Sequence, residues 1–337
     1  MKAMVLNAPR KLALTQVENP VFAPATALIR ITHTGVCGTD LKIFNGAIPV
    51  RYPRVMGHEM VGEVLESSDP AICQPGDRVI VDPMIYCGKC FHCRAGQTNL
   101  CPNGFILGRD ADGGFAEFIA APLVNVFRLP MEIRSEDAPL LQVATTCLHA
   151  QRLVSCFPAE SVVVMGLGVT GQLHVQMAKA RGAAPLIGVT RSSFKGGLAR
   201  RFGADAIIFP SEDLAREVLQ QTAGRGADLV IETTGRTEAL VQAIEMARHG
   251  GCLLLFGINT ATEGKLPFYQ LYFKELTLLN ARAAKGEDYE TCVEMARRGT
   301  LQFEPLVTHR FPLTDLKHSI EMVDSNEERR LKVILEH

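Results

Sequence analysis

Ser161-Val162-Val163-Val164-Met165-Gly166-Leu167-Gly168-Val169-Thr170-Gly171 is the stretch that decides the fold. Residues 161–165 form a nearly continuous apolar run, the composition of a strand covered on both faces. Gly166, Gly168 and Gly171 then spell G-x-G-x-x-G, with Val169 and Thr170 between the last two. A helical stretch follows over 170–181. Glycines permit a tight turn and close backbone approach, so a pyrophosphate can sit on the helix N-terminus, where free N–H groups and the dipole favour anions. A glycine turn without a ligand is the plainer alternative. The strand before and the helix after argue for the dinucleotide.

The same texture continues outward. Residues 185–189, 206–209, 229–232, 252–256 and 276–279 read as strands, and 197–202 and 238–248 as helices between strands. Alternation of this kind predicts a doubly wound parallel sheet, an α/β domain over 146–285. Upstream, 1–145 is rich in glycine, proline and β-formers. Residues 1–15 alternate like a strand, and 27–32, 61–65 and 78–81 read as further strands separated by turns. After 286 come a helix (289–298) and a strand-helix-strand ending at 332–335. A length of 337 residues suits two domains.

The end of the second strand bears on which dinucleotide binds. Gly188-Val189-Thr190-Arg191-Ser192-Ser193 carries no acid, where an NAD enzyme usually offers Asp or Glu to the ribose hydroxyls. Arg191 can instead pair with a 2′-phosphate, helped by the Thr190 and Ser192 hydroxyls, with Lys195 a further candidate. This favours NADP and leaves NAD open, with Arg191 then a solvated arginine.

Hydrophobic residues make up 47% and charged residues 21%, which argues against disorder. The net charge of -1 weakens a nucleic-acid or anionic-membrane reading. No apolar run approaches the ~18–20 residues that span a bilayer, and the N-terminus has no signal-peptide core. The expected place is a reducing cytosol, where clustered thiols are metal ligands rather than disulfides.

Cysteine is the unusual residue, with 10 in the chain. Cys87, Cys90, Cys93 and Cys101 form C-x2-C-x2-C-x7-C. Four thiolates can close a tetrahedral zinc site with no open position, which makes the metal structural. Iron–sulfur ligation uses similar spacing, but a hydride-transfer domain needs no one-electron relay. His92 is surplus to such a site and reads as a surface histidine. A second set comprises Cys37 in Cys37-Gly38-Thr39-Asp40 and His58 and Glu59 in Gly57-His58-Glu59. Thiolate, imidazole and carboxylate are the ligand types of a catalytic zinc. Singly, each has an ordinary alternative: a buried thiol, a satisfied core histidine, a surface acid.

These motifs, together with Gly76-Asp77-Arg78-Val79 and Gly113-Gly114-Phe115-Ala116-Glu117, stand in the order and spacing of the zinc-dependent medium-chain alcohol dehydrogenases. The chain resembles that family over essentially its whole length, nearest the sorbitol (polyol) and threonine dehydrogenase branch. The resemblance implies a GroES-like β-rich catalytic domain over 1–145, completed by 286–337, with a Rossmann domain between. It assigns Cys37, His58 and Glu59 to a catalytic zinc and the four-cysteine lobe to a structural one. It further implies reversible oxidation of a polyol, sugar or amino alcohol with hydride transfer to NAD(P). Thr39 would handle the proton, and Asp40 would accept from the free ring nitrogen of His58. Homodimers or homotetramers pairing Rossmann edges are implied, with 266–279 the plausible edge.

Two positions depart from the family pattern. Gln142 stands where the family usually offers Glu, Asp or Cys, and a neutral amide is a poor zinc ligand, so Glu59 or water is expected to complete the shell. Lys42 replaces the usual relay histidine; with Arg51 nearby it hints at an anionic substrate, and otherwise it is a solvated side chain. Two rivals remain. A zinc-free quinone or enoyl reductase would lack both cysteine sets, and a non-catalytic zinc-stabilised binding protein would keep the fold alone. Cys73, Cys147, Cys156, Cys252 and Cys292 read as thiols outside any metal site, mainly buried.

Overall fold

The computed structural model describes every residue except 156, 157 and 326, so Cys156 lies outside the described residues. Two compact units emerge, Met1–Thr145 with Ala283–His337, and Thr146–Arg282.

In the first unit, the strand Thr26–Val36 is the organiser. Its residues alternate between buried Ala27, Ile29 and Ile31 and more accessible neighbours, the period-two pattern of a strand covered on one face. It pairs antiparallel with Glu59–Ser67, with Phe118–Pro122 and with the last strand, Lys332–Glu336. Val333, Ile334 and Leu335 are fully buried, each contributing roughly 1.5–3 kcal/mol by burial, which ties the end of the chain into the first unit's sheet.

The second unit is a six-stranded sheet. Its order is Ala206–Ile208, Leu186–Val189, Val162–Met165, Ala227–Glu232, Ala247–Leu255, Thr277–Asn280, and every neighbouring pair is parallel. In chain order this is 3-2-1-4-5-6, the doubly wound arrangement. Val162, Val163 and Val164 are fully buried, as a continuous apolar run requires.

Several boundaries differ from the sequence reading, among them the expected 289–298 helix, which is Gly286–Arg297, and the 61–65 strand, which is Glu59–Ser67; three others have a visible cause. Residues 1–15 are two strands, Lys2–Ala8 and Lys11–Gln16, because the chain turns at Pro9-Arg10, where Arg10 takes a positive φ of 62°. The 197–202 helix starts earlier, at Ser193, because the Ser192 hydroxyl caps it by accepting from the Lys195 N–H at 3.1 Å. The helix expected to reach Arg248 ends at Met246, and the next strand begins at Ala247. Arg248 there donates through Nε to Asp228 at 2.5 Å, and the Gly250-Gly251 pair that follows cannot sustain a helix.

Asp82 is buried beside the returning segment. Its Oδ1 accepts from the Met84 N–H at 2.9 Å and from the Tyr289 hydroxyl at 3.4 Å, while Tyr289 stacks on Phe127. Burial pushes its carboxyl up to about 7, assisted by the buried Asp288. An unfolded aspartate loses its proton near ~4, so between about pH 4 and 7 the folded chain holds the extra proton. Native stability therefore falls as pH rises through that window and levels off above it. Asp82→Asn removes this dependence. Its urea midpoint should gain on wild type by an amount worth a few kcal/mol, on the order of 1–4, between pH 4 and pH 8. Parallel midpoints at both pH values would contradict a proton held on Asp82.

Candidate active site and cofactor site

Cys37 follows directly on the organising strand and starts the short helix Gly38–Phe44. Asp40, fully buried in that helix, accepts from the Cys37 backbone N–H through Oδ2 at 2.8 Å. Its Oδ1 lies 3.4 Å from His58 Nδ1. One carboxylate thus fixes the backbone of one candidate ligand and the ring orientation of another, which leaves the other ring nitrogen for a metal. A turn aspartate with no further duty would show neither contact.

Glu59 opens its strand directly opposite Gly35. The Cys37 Sγ, a His58 ring nitrogen and a Glu59 carboxylate oxygen all lie within 4.8 Å of one another. Glu59 is fully buried, and its Oε1 has no hydrogen-bond partner. Burial opposes protonation of His58, yet the charge and hydrogen bond of Asp40, joined by the Cys37 thiol, raise the ring well above its usual value. A thiol, an imidazole and a buried carboxylate gathered within 4.8 Å, with Glu59 Oε1 lacking a hydrogen-bond partner, are a donor set that fits a divalent metal.

Thr39 and Lys42 sit on the Gly38–Phe44 helix, both partly buried. Gln142 is partly buried on the helix Leu140–Arg152, its backbone carbonyl accepting from the Thr145 hydroxyl at 2.7 Å. Arg51 is exposed.

Sequence reasoning missed Lys332. This buried lysine ion-pairs with Glu59 Oε2, and its Nζ donates to the Val36 carbonyl at 3.1 Å. The available signal was a lone cation in the apolar run Leu331-Lys332-Val333-Ile334-Leu335. Gly35 was missed as well. A Cβ there would fall 1.8 Å from Glu59 Oε2 and 2.7 Å from Lys332 Cε, so only glycine leaves room for the pair.

The second ligand set is local and consists of thiols alone. Cys87, Cys90, Cys93 and Cys101 also gather within 4.8 Å, with Cys90 capping the helical turn Phe91–Arg94. Backbone N–H groups of Lys89 and Cys90 bring the Cys87 thiol down to about 6. Desolvation and the neighbouring thiols push Cys93 up to about 12. Four adjacent thiols cannot all ionise without a cation among them, and together they supply four sulfur ligands. His92 turns to Gln97, its Nδ1 3.1 Å from Oε1. Of the remaining thiols Cys73, Cys147 and Cys292 are buried and Cys252 is partly so; no described cysteine forms a disulfide.

In the second unit the glycine loop lies at the switch point between Val162–Met165 and Ala227–Glu232. Gly166 has φ +84°, and a Cβ on Gly171 would fall 1.9 Å from the Gly166 carbonyl oxygen. Gly168 starts the helix Val169–Ala180 with no side chain capping it and open space where a Cβ would be. Backbone donors there are available to an anion. Thr190 is nearly buried, and its hydroxyl oxygen accepts from the Ser192 N–H at 3.2 Å; Arg191 is exposed at the strand end. On the other side of the switch point, a cavity of about 250 Å³ opens at the strand ends between Arg236, Phe256, Ile258 and Asn280.

Among the described residues no helix is long and apolar enough to cross a membrane. Residues 23–131 match the alcohol dehydrogenase GroES-like domain, and 169–298 match the zinc-binding dehydrogenase domain. The L-threonine 3-dehydrogenase of Pyrococcus furiosus is 35% identical over 307 residues, 88% of this chain and 87% of that one. The L-galactonate-5-dehydrogenase of Escherichia coli K12 is 31% identical over 340 residues, 99% of this chain and 98% of that one. A zinc-binding dehydrogenase of Sinorhizobium meliloti 1021, solved with NADP, superposes with a TM-score of 0.92 at 28% identity, covering 100% of this chain and 99% of that one. With both domain types matched and both ligand sets assembled, the chain belongs to the zinc-dependent medium-chain alcohol dehydrogenases and is an NAD(P)-linked oxidoreductase of that family.

Proposed function

We propose that this enzyme moves a hydride between NADP and the hydroxyl-bearing carbon of a polyol, sugar or amino alcohol, in either direction. The observation that carries the reading is the convergence of the Cys37 thiol, the His58 ring and the buried Glu59 carboxylate within 4.8 Å of one another. These residues would hold the catalytic zinc, and Cys87, Cys90, Cys93 and Cys101 the structural one. A zinc ion so held supplies a Lewis acid that makes an alcohol hydroxyl easier to deprotonate. Thr39 offers a hydroxyl next to Cys37 for the departing proton. Asp40 keeps His58 in one tautomer, and Lys42 places a cation on the same helix. The Gly168–Gly171 turn would hold the pyrophosphate of the dinucleotide, and the cavity lined by Ile258 and Asn280 leaves room at the strand ends for its nicotinamide half. The relatives act on threonine and on galactonate by name, which supports a polyhydroxylated or amino-substituted substrate class.

NADP is favoured over NAD because no carboxylate occupies the end of Leu186–Val189, while Arg191 does. Thr190 and Ser192 are already oriented there by the turn and cap bonds. A reducing compartment is part of this reading, in which the five candidate metal ligands among the described cysteines serve as thiolates. A second copy of this chain is the proposed partner. Phe268, Tyr269, Tyr272 and Phe273 are exposed between 61% and 81% beside the edge strand Thr277–Asn280, an apolar face that a monomer rarely leaves open.

Three measurements test these readings. Wild type should carry about two zinc ions per chain, and Cys37→Ser about one, with turnover lost; a variant that kept both zincs and NADP-linked turnover would refute the catalytic assignment. Arg191→Ala should lower kcat/KM for NADP by roughly ten- to a hundredfold and leave NAD nearly unchanged. An unaltered NADP preference would remove Arg191 from phosphate recognition. Light scattering should give a dimer or tetramer for wild type and a smaller species for the double variant Phe268→Asp/Tyr272→Asp; equal masses would place the interface elsewhere.

A further inference from the structure

The Lys332–Glu59 pair is a poor stabilising device. Both side chains are almost wholly buried, 4% and 0% exposed, so the cost of removing two charges from water offsets most of their attraction. Its position is what distinguishes it. The register sets Glu59 opposite Gly35 and Val333 opposite Val36, so the pair straddles the residues that lead into Cys37. Lys332 is further pinned to the Val36 carbonyl, and Gly35 leaves the space that both side chains fill. Only one carboxylate oxygen faces the ammonium, and Oε1 has no protein partner.

We propose that Lys332 is a positioning residue for the metal-ligand set: its ammonium shares the Glu59 carboxylate with the bound cation and so keeps Glu59 a weak, exchangeable ligand. This rests on reading Cys37, His58 and Glu59 as a cation site. The charges support it. A Cys37 thiolate, Glu59 and Asp40 bring three negative charges, and Lys332 cancels one, which leaves the site matched to a dication with none to spare. Without the ammonium the site holds one negative charge too many, and the whole Glu59 carboxylate turns to the metal. The sign separates this role from a scaffolding one. If Lys332 merely propped Glu59 in place, removing it would loosen the metal. If Lys332 competes for the carboxylate, removing it tightens the metal.

The test is zinc release to a chelator, followed on the holoenzyme without substrate. Lys332→Met and Lys332→Gln should release the second zinc more slowly, by on the order of tenfold or more. Gln keeps a donor for Val36 and carries the test if Met prevents folding. Lys332→Arg should release at close to the wild-type rate. In a Glu59→Gln background the Lys332→Met change should have no effect, because the shared carboxylate is gone. Unchanged or faster release in the single variants, or an effect that persists in the Glu59→Gln background, overturns the proposal. The Cys37→Ser zinc count separates the two levels. If that variant keeps both zincs, the underlying cation site is wrong. If it loses one while Lys332→Gln releases zinc at the wild-type rate or faster, the role given to Lys332 alone fails.

Discussion

The register of the Thr26–Val36 strand is the constraint on which the candidate active site depends. Glu59 on one side and the Lys332–Glu336 strand on the other are both fixed by pairing with its last residues, and Cys37 is its immediate continuation. A slip of one residue in either pairing would turn Glu59 or Lys332 to the opposite face, because strand side chains alternate. The missing side chain of Gly35 makes this register possible, since any Cβ would occupy the space where the carboxylate and ammonium meet. Residues from three distant parts of the sequence therefore reach one point through backbone hydrogen bonds.

The second unit solves a different problem with the same economy. There the binding element is backbone rather than side chain. The turn after Val162–Met165 closes tightly against the following helix because Gly171 leaves the Gly166 carbonyl unobstructed. The helix N-terminus is left without a side-chain cap, so its donors stay available for an anion that the protein itself does not provide. At the end of the next strand stand Thr190, Arg191 and Ser192, with no carboxylate among them, which is the basis for the proposed preference for a 2′-phosphate. The glycine turn and residues 190–192 belong to separate strands, so the latter could change without disturbing the turn.

Much of this was legible because it is local. Residues 161–171 announce a buried strand, a turn and a helix in consecutive positions, and the parallel strands that follow are each short apolar runs. The four thiols of the lobe lie within one loop, and their spacing alone gathers them. What escaped reading depends on distant pairing. The strand from Ala247 is longer than its apolar run because Arg248 finds Asp228 across the sheet. In the sequence Lys332 is a single cation at the head of an apolar run, and its meaning exists only beside Glu59. Asp40 could be suspected from its place after Cys37, but its contact with His58 requires the turn that carries His58 to be folded against it.

The two cation sites should consequently relate to stability in different ways. The four-cysteine lobe has little apolar core of its own; Phe91 is exposed, as are Arg94, Ala95 and Gly96. Its order must come largely from ligation, so most of the metal's binding free energy there is folding free energy of the loop. The site around Cys37 is already shaped by a seven-stranded sheet whose buried residues pack without help from a metal. Binding there is spent not on folding but on neutralising a buried excess of negative charge, which Asp40, Glu59 and the Cys37 thiolate create and Lys332 only partly relieves. A site held open by the fold and closed by charge can exchange one of its oxygens without unfolding, which a site folded by its own metal cannot.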